Sequence, residues 1–229
     1  MLVAAEVVAA ALVIQYWTTS VNIAVWLTIL LALILILNMC PVSVYGETEF
    51  YFAGIKLIAI TGLIILGIVL FFGGGPNHDR LGFRYWKDGN AFHEYLTGGS
   101  TGQFLSFWSA IIMAGFAFVT APEVVVSCSA ETTNPRKLLP KCANQFVYRL
   151  TFFYLLGALV IGVIVSSRNE ALDGDSSTVA ASPFVLGIQN AGIPVLNHII
   201  NAVVLTLAAS SGNSYLYAAS RTLYSLALK

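Results

Sequence analysis

Six long apolar runs constrain this chain more than any other feature of its sequence. They cover residues 1–17, 23–39, 50–72, 105–130, 147–167 and 197–220. A helix of about 20 mostly apolar residues crosses the hydrocarbon core of a bilayer, and helices satisfy their own backbone hydrogen bonds there. Charged residues make up only 10% of the chain, whereas soluble domains contain about 25%. The sequence therefore predicts an all-α integral membrane protein, with one transmembrane domain of six spanning helices.

The basic residues that flank the spans predict which ends face the cytoplasm. Lysine and arginine are enriched in the short cytoplasmic loops of membrane proteins. The basic residues after the fourth and the sixth span are Arg136, Lys137, Lys141, Arg149, Arg221 and Lys229. Both segments are therefore expected on the cytoplasmic side, which places the loops 73–104 and 168–196 outside. Within the second loop, the spacing of apolar and small residues over 182–196 indicates a short interfacial helix or a hairpin.

Charge and cysteine usage give no reason to expect a cofactor, a metal ion or a nucleic acid partner. The chain has 11 basic and 11 acidic residues and no basic tail. Its cysteines, Cys40, Cys128 and Cys142, lack metal-ligand spacing, and the predicted topology places them in the membrane or on the reducing side. The sequence has no paired aspartates, metal-ligating histidines or nucleophile motif at membrane depth, so we do not expect an enzyme.

The fourth apolar run contains a proline followed directly by an acid, Pro122 and Glu123. A continuous helix over 105–130 would be about 39 Å long, which exceeds a hydrocarbon core of about 30 Å. Proline removes a backbone donor and suits the first position of a helix. We therefore expect an outer half-helix that ends near Phe118, a joint at residues 119–121 and an inner half-helix. Transporters hold small polar substrates at such breaks, and the alternative is a simple proline kink.

Apart from Arg149 at the edge of the fifth run, three charged residues fall inside predicted spans: Glu6, Lys56 and Glu123. A charge near the bilayer centre costs about 2.5 to 3.5 kcal/mol on insertion scales, so it is usually paired or functional. Each of the three is a candidate to gain and lose a proton or to act as a gate. The alternatives are a hydrogen-bonded brace for Glu123, a structural partner for Glu6, and a Lys56 side chain that reaches the cytoplasmic interface along its own stem.

The first residues of the chain form part of the first apolar run, without a charged leader or a polar segment ahead of it. A spanning helix that starts at the initiator methionine is unusual for a membrane protein with several spans. We therefore expect the chain to be a fragment of a longer protein.

Three stretches together resemble fungal amino acid permeases, the yeast amino acid transporter family of the amino acid, polyamine and organocation superfamily. They are VYGETEFYFAGIKLIAI at 44–60, APEVVVSCSAETTNPRKLLPK at 121–141 and NAVVLTLAASSGNSYLYAASRTLYSLA at 201–227. Residues 82–86 and 182–196 look like outer loops of that family. The resemblance implies an inverted-repeat fold of two five-helix bundles, in which this chain supplies helices three to eight and its fourth span is the unwound sixth helix.

The resemblance also implies a substrate site at the end of the outer half-helix. Backbone carbonyls there would bind the α-ammonium group of an amino acid, and nearby side chains would contact its side chain. The implied site residues are Phe116, Ala117, Phe118, Val119, Thr120 and Asn213. Family members often carry serine, glycine and threonine before the glutamate, whereas this chain has Thr120, Ala121 and Pro122. The alternative for Asn213 is a purely structural role between helices.

Two of the intramembrane charges have counterparts in the resemblance. Lys56 matches a lysine that replaces a sodium ion in proton-coupled bacterial relatives, and Glu6 matches a glutamate of the family's third helix that matters for transport. The resemblance thus implies an amino acid:proton symporter of the plasma membrane whose partners are its amino acid substrate, protons, the bilayer and the missing helices. The alternative is a truncated, non-transporting protein that associates with or regulates a full-length permease.

Overall fold

The computed structural model describes residues 1–87, 94–119, 125–126, 132, 134–167 and 183–227, and for residues 116–119 and 194 it describes the backbone alone. In this part of the chain the regular structure is helical and contains no strand. The helices are α1 (Leu2–Ile14), α2 (Ile23–Met39), α3 (Val42–Phe71), α4 (Ser100–Val119), α5 (Pro135–Ile164), α6 (Pro183–Asn190) and α7 (Pro194–Ala227). A short 3-10 turn covers Arg84–Trp86.

Three helices of the described residues are long and apolar enough to cross a bilayer, namely α3, α5 and residues Val195–Ala227 of α7. Helices α1 and α2 are equally apolar but shorter. Large side chains such as Ile36, Ile58 and Leu155 are 63%, 76% and 67% exposed, which suits contact with lipid. The prediction of an all-helical membrane protein is confirmed, while the number of six spans and the inverted repeat stay predictions.

Several helices extend beyond the apolar runs from which the spans were predicted. Helix α3 begins at Val42 instead of residue 50, and α5 begins at Pro135 instead of residue 147. Proline favours the first turn of a helix because its φ angle is already helical and its missing N–H needs no partner there. Hydropathy marks the part of a helix that suits lipid, so polar turns at the ends of these helices escaped the prediction.

Helix α6 occupies the segment for which a short helix or a hairpin was expected. The chain leaves it through Gly192, whose φ of 75° lies in the left-handed region that favours glycine. In the same turn, the backbone oxygen of Asn190 accepts a hydrogen bond of 3.3 Å from Asn77 Nδ2. The turn therefore has both the residue type and the hydrogen bond that its backbone conformation requires.

The chain forms two compact units, and the first contains Met1–Gly62, Asp175–Gln189 and Ile193–Lys229. In this unit α1 packs against α2 and α7, and α2 also packs against α7. The buried face of α1 includes the small residues Ala10 and Ala11, whose exposures are 1% and 0%. On α7, a Cβ atom at Gly212 would lie only 3.2 Å from Ile34 Cδ1. Small residues let helices approach closely where lipid supplies no hydrophobic drive.

The second unit contains Leu63–Gly174 and Asn190–Gly192. Here Gly67 of α3 lies directly against the side chain of Val160 on α5, with no room for a Cβ atom. The 3-10 turn packs on α5 as well, because Trp86 Nε1 donates a 2.8 Å hydrogen bond to the Gly162 carbonyl. The ring of Phe83 contacts that of Trp86, with 5.8 Å between the ring centroids. Glycine and aromatic residues thus contribute to the described packing of this unit.

Candidate functional site

A chain of polar side chains connects α3 with α7 inside the first unit. Lys56 Nζ donates a hydrogen bond of 2.9 Å to Ser210 Oγ, and Ser210 Oγ donates one of 2.8 Å to Glu49 Oε2. The other carboxylate oxygen, Glu49 Oε1, accepts a bond of 3.0 Å from Asn213 Nδ2. Helix α2 joins this chain through Asn38, whose Nδ2 donates to Asn213 Oδ1 at 2.6 Å. We call these five residues the polar cluster.

Helical spacing explains how the polar cluster forms. Glu49 and Lys56 are seven residues apart on α3, which is close to two full turns and places both on one face. Ser210 and Asn213 are three residues apart on α7 and therefore also share a face. Asn38 stands near the end of α2, where its Nδ2 also donates to the Ile34 carbonyl one turn earlier. Each helix thus presents its polar groups to the same place.

Burial makes these hydrogen bonds important for the packing of the unit. Ser210 is 0% and Asn213 1% exposed, while Glu49, Lys56 and Asn38 are half-buried. Burying a polar group without a partner costs about 1 to 3 kcal/mol in proteins, and a charge costs more. In the polar cluster the hydroxyl, both carboxylate oxygens and the Asn213 amide all have partners. The arrangement can therefore hold one ammonium and one carboxylate away from bulk water.

Glu6 of α1 is the second carboxylate near Lys56. Its Cβ atom lies against α7, where a Cβ at Gly212 would be 3.6 Å away, and the residue is half-buried. The charges of Glu49 and Glu6 both attract the charge of Lys56. Within the described residues, Glu6 makes no side-chain hydrogen bond to the polar cluster. Lys56 is therefore attracted by two acids. Among the described residues, Glu49 is connected to it by hydrogen bonds through Ser210, and Glu6 is not.

A polar cavity of about 250 Å³ lies next to the polar cluster, at the ends of α2 and α7 and the start of α3. Asn38, Tyr45, Tyr217 and Arg221 contribute to its lining. The rings of Tyr45 and Tyr217 stack at 4.4 Å between centroids, and the Arg221 guanidinium lies 5.2 Å above the Tyr217 ring. These helix ends are the ones predicted to face the cytoplasm, so the cavity is expected to open to that side.

The structure brings together three of the residues proposed from the sequence. Lys56, Asn213 and Glu6 lie in or beside the polar cluster. The backbone of Phe116, Ala117, Phe118 and Val119 forms the last turn of α4, which belongs to the second unit. Thr120 and Glu123 lie outside the described residues, as does the break expected before Pro122. The functional roles of all these residues stay predictions.

The residues proposed from the sequence did not include Glu49, Ser210 or Asn38. Glu49 had a local signal, because an acid seven residues before an intramembrane lysine lies on the same helix face. Ser210 and Asn38 had none, since their partners Lys56 and Asn213 are 154 and 175 residues away in the chain.

Across the described residues, no group of three or more histidine, cysteine, aspartate or glutamate side chains could hold a metal ion. The cluster is suited to proton transfer and charge pairing.

The chain matches known proteins along nearly its whole length. The family profile described as Amino acid permease matches residues 1–229. The chain is 60% identical to the probable proline-specific permease put4 of Schizosaccharomyces pombe, over 99% of this chain and 42% of that protein. It is 54% identical to the proline-specific permease of Emericella nidulans, over 99% and 42%. It is 51% identical to the proline-specific permease of Saccharomyces cerevisiae, over 99% and 37%.

These matches confirm the resemblance that rested on three sequence motifs. The relatives are named as permeases and not as enzymes, which also confirms the prediction that the chain is not an enzyme. The chain spans about two fifths of the length of these relatives. No solved structure matches it.

Proposed function

Because the chain belongs to the amino acid permease family, we propose that it works as part of a secondary transporter whose substrate is proline. One observation carries this proposal: three relatives from three different fungi, 51% to 60% identical over 99% of the chain, are all named proline-specific. Side chains that select a substrate change when specificity changes, so similarity at this level favours a shared substrate. The transporter is expected in the plasma membrane.

Protons drive this transport in our proposal. Lys56 is attracted by two acids, Glu49 and Glu6, on two different helices. When Lys56 carries a proton, its charge draws α3, α1 and α7 together, and when the proton leaves, the acids lose their common partner. A ligand or a proton shifts a conformational equilibrium only if it interacts differently with the two states. In our proposal, protonation does so because it changes the attraction between Lys56 and the two acids.

The substrate site itself is proposed at the end of α4. Backbone carbonyls from Phe116 to Val119 bind the ammonium group of the substrate, and Thr120, next to the break predicted from the sequence, is proposed to contact it as well. The ammonium group of proline has two N–H bonds and so matches two carbonyl acceptors. We also propose Glu123 as a gate and Asn213 as a further residue that binds the substrate.

The chain performs this function together with further helices. Its relatives are longer, and it covers 37% to 42% of their length. We propose that the chain supplies helices three to eight of an inverted-repeat fold, with the substrate carboxylate bound by a helix outside these 229 residues.

A chimera tests the proposed function. In the Saccharomyces cerevisiae relative, the segment that matches this chain is replaced by residues 1–229, and the chimera is expressed in yeast that lacks the relative. We expect uptake of radiolabelled proline that unlabelled proline inhibits and that lysine and glutamate do not. A protonophore should reduce this uptake at least tenfold, because the proton gradient supplies the driving force.

The unmodified relative and an empty vector serve as the two controls, and the amount of chimera in the plasma membrane is measured in parallel. A chimera that reaches the plasma membrane but prefers lysine or glutamate would contradict the proposed substrate. Proline uptake that the protonophore does not reduce would contradict the proposed coupling to protons.

A further inference from the structure

We propose that Glu49 receives the coupling proton from Lys56 through the Ser210 hydroxyl and releases it on the cytoplasmic side. This inference rests on the proposed function, since it assigns the direction of proton movement in a proton-coupled transporter. It makes Glu49 a second proton site, separate from the lysine and from the acids singled out in the sequence.

The direction of the hydrogen bonds supports this assignment. An ammonium group can only donate, so Ser210 Oγ must accept from Lys56 Nζ across 2.9 Å. An ionised carboxylate can only accept, so the same hydroxyl must donate to Glu49 Oε2 across 2.8 Å. Ser210 is fully buried, which leaves its hydroxyl no competing water. The three groups form a continuous and directed path from the lysine to the acid.

The transfer itself is balanced. The Nζ–H bond of Lys56 breaks as a new O–H bond forms on Ser210, and the original hydroxyl proton of Ser210 moves to Glu49 Oε2. The products are a neutral amine and a neutral carboxylic acid, so the sum of their charges does not change. Rotation of the hydroxyl then restores the starting arrangement. Lys56 takes the next proton from the outer side, and Glu49 returns to a carboxylate when it releases its proton.

The position of Glu49 suits release toward the cytoplasm. It lies seven residues before Lys56, about 10 Å nearer the start of α3 at 1.5 Å per residue. Glu49 is half-buried, and Tyr45, one turn earlier on the same helix, lines the polar cavity. Asn213 bonds Glu49 and accepts from Asn38, a second residue of the cavity lining. The carboxylate is thus one layer of side chains away from the cavity.

The charged and titratable groups around the path are few. Glu6 of α1 attracts Lys56 but stands outside the hydrogen-bonded path. Helix α7 adds Tyr217 and Arg221, which line the cavity with Tyr45 of α3. Helix α2 contributes Asn38, which bonds Asn213 beside the path, and Cys40, which lines the cavity. Among these groups Glu49 is the carboxylate that a proton from Lys56 reaches through a single hydroxyl.

The test uses the chimera in proteoliposomes with Glu49→Gln, which keeps the size of the side chain but cannot bind or release a proton. Two rates are compared: proline accumulation driven by an imposed pH gradient, and proline counterflow at equal pH. Accumulation requires proton release inside in every cycle, whereas counterflow does not. We expect the ratio of accumulation to counterflow to fall at least tenfold, and the remaining counterflow to become independent of internal pH.

Two further variants make the result specific. Glu47→Gln removes an exposed acid two residues away on the same helix, and its ratio should stay within about twofold of the parent chimera. Ser210→Ala keeps both titratable groups and removes only the hydroxyl, and its ratio should fall like that of Glu49→Gln. If Glu49→Gln does not reach the membrane, Ser210→Ala decides the question.

An unchanged ratio in Glu49→Gln or in Ser210→Ala would overturn the inference while leaving the proposed function intact. Failure of the proposed function looks different, because the parent chimera itself would then show no accumulation of proline with the pH gradient.

Discussion

The two compact units differ in how their helices are joined. In the first unit, buried polar side chains link three helices, and a lysine and a glutamate belong to the link. In the second unit, Gly67 packs against Val160, Trp86 contacts Phe83 and the Gly162 carbonyl, and Asp79 and Arg84 form an exposed ion pair. Helices in lipid associate well through small residues alone, and buried charges are expensive. A lysine and a glutamate are therefore an expensive way to join helices, which favours a function for the polar link in addition to its role in packing.

The largest expected effect comes from Lys56→Met in the first unit. The variant leaves Glu49 and Glu6 without the cation that attracts both of them. The variant also lacks the amine that carries the proton in the proposed function. We expect proline accumulation by the chimera to drop to background. The matched control is Lys87→Met, an exposed lysine of the second unit, which should accumulate proline normally.

A smaller effect is expected from Asn213→Ala, which tests whether the polar link also holds the helices. The change leaves one oxygen of Glu49 and one N–H of Asn38 without a partner, and each loss costs about 1 to 3 kcal/mol. The midpoint of thermal unfolding in detergent should therefore fall clearly. Asn38→Ala should lower this midpoint less. The double variant should lower it by less than the sum of the two single effects, since the two side chains share a hydrogen bond.

The same variant separates two roles of Asn213. A raised KM for proline with unchanged unfolding would indicate direct contact with the substrate, as the sequence analysis predicted. A lowered midpoint with unchanged KM would indicate that Asn213 supports the polar cluster.

In the second unit, Gly67→Ala should destabilise without affecting coupling. The new Cβ atom overlaps the side chain of Val160, and overpacking costs about 1 to 3 kcal/mol. Val160→Ala in the same chain should recover most of the loss. Gly62→Ala is the control on the same helix, because a Cβ there meets nothing within 4 Å. If Gly67→Ala changed the ratio of accumulation to counterflow, proton coupling would depend on the second unit as well, which would contradict this prediction.

The smallest effect is expected from Asp79→Asn, which removes the exposed ion pair. Arg84 and Asp79 are 2.6 Å apart, with side chains 49% and 58% exposed. The hydrogen bond that Arg84 donates to Asp79 raises the pKa of Arg84, so the stability it contributes is present below the usual pKa of arginine and is lost only in strong alkali. Exposed pairs contribute about 0 to 1 kcal/mol. We expect the unfolding midpoint near neutral pH to change hardly at all.

Several features were predictable from the sequence because they depend on local patterns. Apolar runs predicted the helical membrane fold, and rare intramembrane charges pointed to Lys56 and Glu6, two of the residues in or beside the observed cluster. Helix ends were less predictable, since α3 and α5 begin with polar turns that hydropathy does not detect. Glu49 could have been found from its spacing to Lys56.

Other features depend on which helices pack together, and a single sequence does not specify this. Nothing in the local sequence distinguishes Ser210 and Asn38 from other serines and asparagines. Their partners are known only once α7 is seen to pack near α3 and α2. The direction of the hydrogen bonds, on which the proposed proton path depends, follows only from the donors and acceptors that meet in three dimensions.

One measurement tests most directly whether the polar cluster carries the proton of symport. Proteoliposomes that contain the chimera enclose a pH-sensitive dye, and proline is added outside without any imposed gradient. Our account predicts that the interior acidifies as proline enters and that Lys56→Met abolishes this signal. Proline entry without acidification, or equal acidification in the Lys56→Met variant, would contradict it.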